Sequence, residues 1–303
     1  MIAFLLAQLY PPTPSPRSPF PVLSPAITQS ATPRPLSERT MLQNGVADAQ
    51  ARARKLDGTL GAVVIDLATG ATASLNADQS LPMQSVQKLP IVILIYRAID
   101  DGKLTPSTDV TIQPHDIVRY ASEVADNYPG RSHYTVSELA ALAVEKSDNT
   151  AAQALLRLLG GAESANALLR ALNYDAIVLD ADDNGFAKPA MLATLLSDLQ
   201  GGKLLSSTSQ SAVLGMLAKS TTFPGRLRAG FPPGTLVEHK TGTSSTTNGV
   251  TAATNDIAIV NVAGRSVVIV AMLSDARGDE TARDAVIAAV GRAVYDATRE
   301  FPI

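Results

Sequence analysis

The chain contains no cysteine, which excludes disulfides and thiolate metal sites. Histidine is nearly as scarce. His115, His133 and His239 are the only three, and they stand far apart without the spacing of zinc ligands, so neither metal nor cofactor is expected. No stretch approaches the ~20 apolar residues of a membrane span. Charge of either sign is not in excess: the net charge is −3, and no basic stripe marks a nucleic-acid surface. What is present is ordinary for a globular protein. Of 303 residues, 46% are hydrophobic and 17% charged, enough to bury a sizeable core in one large domain or two joined subdomains.

The N-terminus differs from the rest. Nine of the 19 prolines fall between Pro11 and Pro35, with only Arg17 and Arg34 charged among them. Such a stretch buries too little apolar surface to offset its ordering entropy and reads as an extended linker. Ahead of it stands a short apolar run, Ile2-Ala3-Phe4-Leu5-Leu6-Ala7. It is either the end of a secretory signal cleaved near Ala7, implying a periplasmic or extracellular protein, or a frayed apolar terminus.

Further on, Glu38 to Leu56 suits a helix with Met41, Val46, Ala49 and Ala53 on one face. Gly61 to Asp66 reads as a buried strand, Asp66 to Gly70 as a turn and Ala71 to Leu75 as the returning strand of a hairpin. Pro90 to Tyr96 is apolar on every side, as in a helix buried all round. Residues 105 to 224 carry mostly helical signals. Thr135 and Glu138 form a capping box that opens a helix to about Lys146, and a second helix runs to Leu159, stopped by Gly160-Gly161. Pro189 to Leu199 and Ser207 to Leu217 suggest two more. Beyond Pro232-Pro233-Gly234 come the β-rich runs Leu236–Lys240, Ile257–Val262 and Val267–Leu273, then an alanine-rich helix from Glu280 to Thr298. The predicted fold is α/β in the α+β sense. An antiparallel sheet is flanked by N- and C-terminal helices (about 38–84 and 225–303), with an all-helical subdomain (about 85–224) inserted between its strands.

Three short motifs carry the chemistry: Ser85-Val86-Gln87-Lys88, Ser147-Asp148-Asn149 and Lys240-Thr241-Gly242. A Ser-x-x-Lys spacing alone arises about once by chance in such a chain, but no other serine here has a lysine three residues on, and the order and separation of all three is specific. Acyl transfer needs an activated hydroxyl, a proton acceptor, a donor for the leaving nitrogen and an oxyanion hole. Ser85 and Lys88 share one face of a helix. A lysine acts as base only if its pKa falls well below ~10.4, through burial beside another cation such as Lys240. Ser147 and Asn149 bring a hydroxyl and an amide able to relay a proton and hold a substrate amide, while Asp148 points inward to brace the loop. Lys240 and Thr241 suit a substrate carboxylate, and Gly242 permits close approach. Each motif has a plainer alternative: a helix cap with a solvated lysine for Ser85, an inter-helix turn for Ser147 to Asn149, an edge-strand gatekeeper for Lys240.

Taken together, the motifs resemble those of class A β-lactamases, within the wider family of penicillin-recognising serine enzymes. The resemblance runs from about residue 42 to 303 and extends to Pro82-Met83-Gln84, Glu138 and Asn255-Asp256. It implies a catalytic domain over 38–303 after a signal remnant and linker over 1–37, with Ser85 as nucleophile and Lys88 as base or relay. It further implies Ser147 as donor to the leaving nitrogen, Asn149 as holder of the acyl side-chain amide, and Lys240, Thr241 and Thr243 as binders of the carboxylate end. The backbone N–H groups of Ser85 and Thr243 would form the oxyanion hole. The implied partner is a small β-lactam or a peptidoglycan-like peptide, bound by a monomer.

One departure concerns the loop that carries the deacylating glutamate, usually Leu-Asp-Arg-x-Glu-x-x-x-Asn. Here it reads Leu179-Asp180-Ala181-Asp182-Asp183-Asn184-Gly185-Phe186. Register places Asp183 at the glutamate, without the arginine or the distal asparagine, and the loop is cut short before Pro189. Asp183 is then either the base, one methylene short, or part of a solvated turn. The shortened loop leaves three activities open: a β-lactamase, a penicillin-binding D-alanyl-D-alanine peptidase, or a protein that stays acylated as a sensor.

Overall fold

The apolar runs noted above are continuous rather than alternating, the pattern of strands covered on both faces. In the computed structural model, which describes residues 37–303, they build one antiparallel sheet. Helix α1 (Glu38–Arg54) leads to β1 (Thr59–Asp66) and its hairpin partner β2 (Thr72–Leu75). Then β3 (Leu81–Pro82) and a 3-10 turn, Gln84–Gln87, feed α2 (Lys88–Asp100). The middle of the chain comprises β4 (Asp109–Thr111), α3 (Glu123–Asn127), β5 (His133–Thr135), α4 (Val136–Glu145), α5 (Asn149–Leu158), α6 (Gly161–Ala171), β6 (Ile177–Val178), β7 (Phe186–Ala187), α7 (Pro189–Gln200) and α8 (Ser207–Lys219). The chain returns through β8 (Leu236–Thr243), β9 (Thr246–Thr247), β10 (Val250–Val262) and β11 (Arg265–Ala276), and ends in α9 (Glu280–Glu300). The expected signal run and proline-rich linker lie outside the described residues.

The sheet order is β2-β1-β11-β10-β8, with β9 on β10, so the first long strand lies beside the last and the helical middle is inserted between neighbours. Side chains alternate across it. Ala62, Val64, Ala258, Val260, Ile269 and Ala271 face a core shared with α1 and α9. Val63, Ile257, Ile259, Val268, Val270 and Met272 face a core shared with α2 and α7. Each fully buried Val, Leu or Ile contributes about 1.5–3 kcal/mol, so both layers are needed. Lys88 to Tyr96 of α2 are all buried, and for Pro90 to Tyr96 the uniformly apolar sequence predicts it. The Thr135–Glu138 capping box is present at α4.

Of the boundaries that differ from expectation, two have a plain physical reason. Gly160-Gly161 ends α5, but a further helix, α6, begins at Gly161 itself; both glycines have positive φ, 85° and 86°, and turn the chain between the two helices. Strand β10 begins at Val250, seven residues before the apolar run, because Thr251, Thr254, Asn255 and Asp256 are buried polar residues. The middle segment is mainly helical but not wholly so. Its β6–β7 hairpin pairs with β3, immediately before the Ser85 turn. Among the described residues, no helix is long and apolar enough to cross a membrane.

Candidate active site

Ser85 lies in the 3-10 turn that becomes α2, after Gln84 at φ 48°. One helical turn on, Lys88 is 2% exposed. Its Nζ donates to Ser85 Oγ at 2.7 Å, to the Ser147 carbonyl at 2.8 Å and to Asn149 Oδ1 at 2.6 Å, with Ser147 Oγ at 3.3 Å. Burial lowers the Lys88 ammonium to about 8, while the charges of Asp183 and Asp148 act in the opposite direction. Burial, not the neighbouring cation, is thus the cause. The cation–cation cost falls on Lys240, which burial first and Lys88 second hold well below the ordinary lysine range.

Ser147 joins α4 to α5 at φ 59°, a left-handed turn that aims both its carbonyl and its hydroxyl at Lys88. Ser147 Oγ also accepts from Lys240 Nζ at 3.0 Å, so it bridges the two lysines. Asp148 is 1% exposed and braces the turn as expected, accepting from Ser122 Oγ at 2.8 Å, Val124 N at 3.0 Å and Ala151 N at 2.8 Å. The Asn149 amide donates to the Tyr120 carbonyl at 2.6 Å.

Lys240 lies opposite Ile257 in the β8–β10 register, on the sheet face that meets the helices. It is wholly buried, which excludes an edge-strand gatekeeper. It is not among the residues lining the cavity and meets it through Ser147 Oγ, to which its Nζ donates. Thr241, Gly242 and Thr243 do line the cavity. Thr241 Oγ1 is 2.7 Å from Thr222 Oγ1, and Thr243 Oγ1 accepts from Arg226 Nη2 at 2.7 Å. Gly242 is required by packing: a Cβ there would collide with the Met83 carbonyl and lie 3.2 Å from Ser85 N. The close approach it permits is therefore between strand and nucleophile turn.

The short loop is the turn of the β6–β7 hairpin. Its Gly185 carbonyl accepts from Met83 N at 2.8 Å, which draws it against the Ser85 turn. Asp183, at φ 61°, accepts from Ser85 Oγ through Oδ2 at 2.9 Å. Carboxylate and nucleophile are therefore in direct hydrogen-bond contact, without an intervening atom. Asp180 and Asp182 do not reach Ser85: Asp180 Oδ1 instead accepts from Asp182 N at 2.8 Å and closes the turn.

A cavity of about 410 Å³ is lined by Ser85, Lys88, Ser147, Asn149, Asp183, Thr241, Gly242 and Thr243. Of the residues expected to act on or bind substrate, Lys240 alone is not among those that line it. Several residues of the site were not singled out. Gln87 holds Asp183 Oδ1 at 2.8 Å, but it occupies a variable position of the motif. Arg226 is fully buried, donating to Asp284 Oδ1 at 2.8 Å and to the carbonyls of Gly242 and Asn255 at 3.1 and 2.9 Å, with the Phe223 ring 4.0 Å away. Tyr120 and Phe223 also line the cavity. Nothing in local spacing distinguishes them.

The beta-lactamase enzyme family matches residues 45–298. The carbapenem-hydrolysing β-lactamase KPC of Klebsiella oxytoca is 30% identical over 84% of this chain and 89% of its own. β-Lactamase VEB-1 of Pseudomonas aeruginosa is 28% identical over 74% of this chain and 80% of its own. Among solved structures, a β-lactamase from Chitinophaga pinensis superposes with a TM-score of 0.80 at 31% identity, covering 84% of this chain and 99% of that one. An ancestral class A β-lactamase does so at 0.76 and 34% identity, covering 84% and 99%. The chain belongs to the β-lactamase enzyme family and has the class A fold.

Proposed function

We propose that this serine β-lactamase opens the lactam ring by acylating Ser85 and releases the product with water activated by Asp183. The observation that carries it is the position of Ser85 Oγ, between Lys88 Nζ at 2.7 Å and Asp183 Oδ2 at 2.9 Å. Lys88 in its neutral form takes the hydroxyl proton as Oγ bonds to the lactam carbonyl carbon. The backbone N–H groups of Ser85 and Thr243 hold the oxyanion. The C–N bond breaks as Ser147 gives its proton to the nitrogen, and Lys88, now protonated, resupplies Ser147. The Thr241 and Thr243 hydroxyls bind the substrate carboxylate, with the Arg226 guanidinium behind Thr243 and the buried Lys240 behind Ser147. Asn149 holds the acyl side-chain amide. Asp183 then accepts a proton from water, whose hydroxide attacks the ester; as the ester C–O bond breaks, Ser85 Oγ takes that proton back from Asp183, 2.9 Å away.

A carboxylate on the nucleophile supports hydrolysis over a persistent acyl-enzyme, so the peptidase and sensor alternatives are not favoured. The test follows a chromogenic cephalosporin past one equivalent with the purified protein. Sustained turnover is expected, whereas a burst that stops would restore those alternatives. Ser85→Ala should abolish covalent labelling by a fluorescent penicillin. Asp183→Asn should accumulate the adduct, with deacylation slower by a factor on the order of 10². We also read residues 38–303 as the catalytic domain, acting as a monomer outside the cytoplasm. Mass spectrometry of the protein from its host should then find an N-terminus beyond Ala7.

A further inference from the structure

We propose that the Gln87 side-chain amide is the positioning residue that keeps Asp183 on Ser85, replacing the support that a longer loop would give; the inference rests on Asp183 being the deacylating base. Gln87 is 3% exposed, and a buried primary amide must find partners for its donors and acceptor. Its Nε2 donates to the Asp180 carbonyl at 2.9 Å, and its Oε1 accepts from Asp180 N at 3.0 Å. These two bonds to one residue's backbone fix which end of the amide is which. The second Nε2 hydrogen is left for Asp183 Oδ1 at 2.8 Å, while Asp183 Oδ2 faces Ser85.

The surroundings are built for this clamp. One residue earlier, Asn166 of α6 grips Leu179 in the same manner, accepting from its N–H at 2.8 Å and donating to its carbonyl at 2.9 Å. The start of the loop is thus held by two amides, one from α6 and one from the nucleophile turn. Gly185 lies over the Gln87 amide, and a Cβ there would collide with Oε1. An aspartate has two side-chain torsions, so its carboxylate can turn away from Ser85 towards solvent. Within the loop, Asp180 and Asp182 offer Asp183 only like charge. Gln87 is the neutral donor that holds one oxygen and thereby aims the other.

Two near-isosteric variants in the full chain test the clamp. Gln87→Met removes the amide, and Gln87→Glu sets a carboxylate against Asp183. With a chromogenic cephalosporin, kcat should fall at least about tenfold in both, less than the roughly 10²–10⁴ that a general base contributes outright, because the base is displaced and not removed. KM should fall with it, leaving kcat/KM within about threefold, because an acyl-enzyme that drains slowly accumulates. A residue that merely supports folding would not separate the two half-reactions. In an Asp183→Asn background, Gln87→Met should add less than about a twofold further loss, since residues acting as a unit are not additive. Parent-like kcat in both variants, or a full multiplicative loss in the double variant, overturns the clamp. Should Gln87→Met fail to label with penicillin, Gln87→Glu carries the same comparison. If Asp183→Asn stalls while the Gln87 variants turn over normally, only the clamp fails. If Asp183→Asn itself turns over like the parent, the assignment of the base fails and the clamp with it.

Discussion

Two groups touch the Ser85 hydroxyl, and at the scale of the residue their protonation decides which of them takes its proton. With Lys88 lowered to about 8 by burial, the neutral amine is a minority species at neutral pH and grows about tenfold per unit below that value. If Lys88 is the acylation base, kcat/KM should therefore rise from pH 6 to 8 and level off near 9. Asp183 acts in the raising direction on Lys88, so Asp183→Asn should move that limb to lower pH. A pH profile flat across 6 to 8 in the parent would assign the first proton to Asp183 instead. At this scale the motif residues were legible because each belongs to a type with few other reasons to recur at that spacing. Asp183 was legible only by register. Gln87 and Arg226 were not, because their roles come from contacts across 93 and 58 residues of sequence, to Asp180 and Asp284, and nothing near them in the chain encodes those partners.

Elements were read well where burial and propensity agree, as in α2, and less well where polar residues are buried. Strand β10 starts early because Asn255 is held inside, donating to the carbonyls of Pro82 at 2.8 Å and Met83 at 3.1 Å, and a run of Thr, Asn and Asp looks like turn chemistry. The same contacts fasten the sheet to the nucleophile turn. β8 meets that turn at Gly242, where even a methyl group has no space. Gly242→Ala is predicted to push β8 away from Ser85 and Met83, parting the two N–H groups proposed as the oxyanion hole. Loss of an oxyanion-hole donor lowers kcat by about 10²–10³, and a similar fall in acylation is expected from single-turnover kinetics. Global stability should drop by about 1–3 kcal/mol, the usual range for overpacking. Acylation at the parent rate would mean that the strand yields without disturbing the hole.

At the scale of the described chain, the site depends on segments from both of its ends. β1 and β11 are neighbours in one sheet, α1 and α9 share one core, and Ser85 leaves the sheet only ten residues after the end of β2 at Leu75. Arg226 extends this dependence to the last helix. Its guanidinium is fully buried and bound at once to Asp284 of α9, the carbonyls of Gly242 and Asn255, and the Thr243 hydroxyl. A buried cation needs its counter-charge. Removing one partner of a buried pair costs about 3–5 kcal/mol, because the other charge is stranded. Asp284→Ala should lower the urea midpoint accordingly with an unchanged m-value. It should also weaken kcat/KM, since a guanidinium that turns to follow solvent releases Thr243. Asp284→Asn keeps the shape and a hydrogen-bond acceptor, so it should lose less of both. If Asp284→Ala leaves stability within about 0.5 kcal/mol of the parent, water reaches Arg226 and the last helix is not part of the site's support. If stability falls while kcat/KM holds, the tie serves the fold alone.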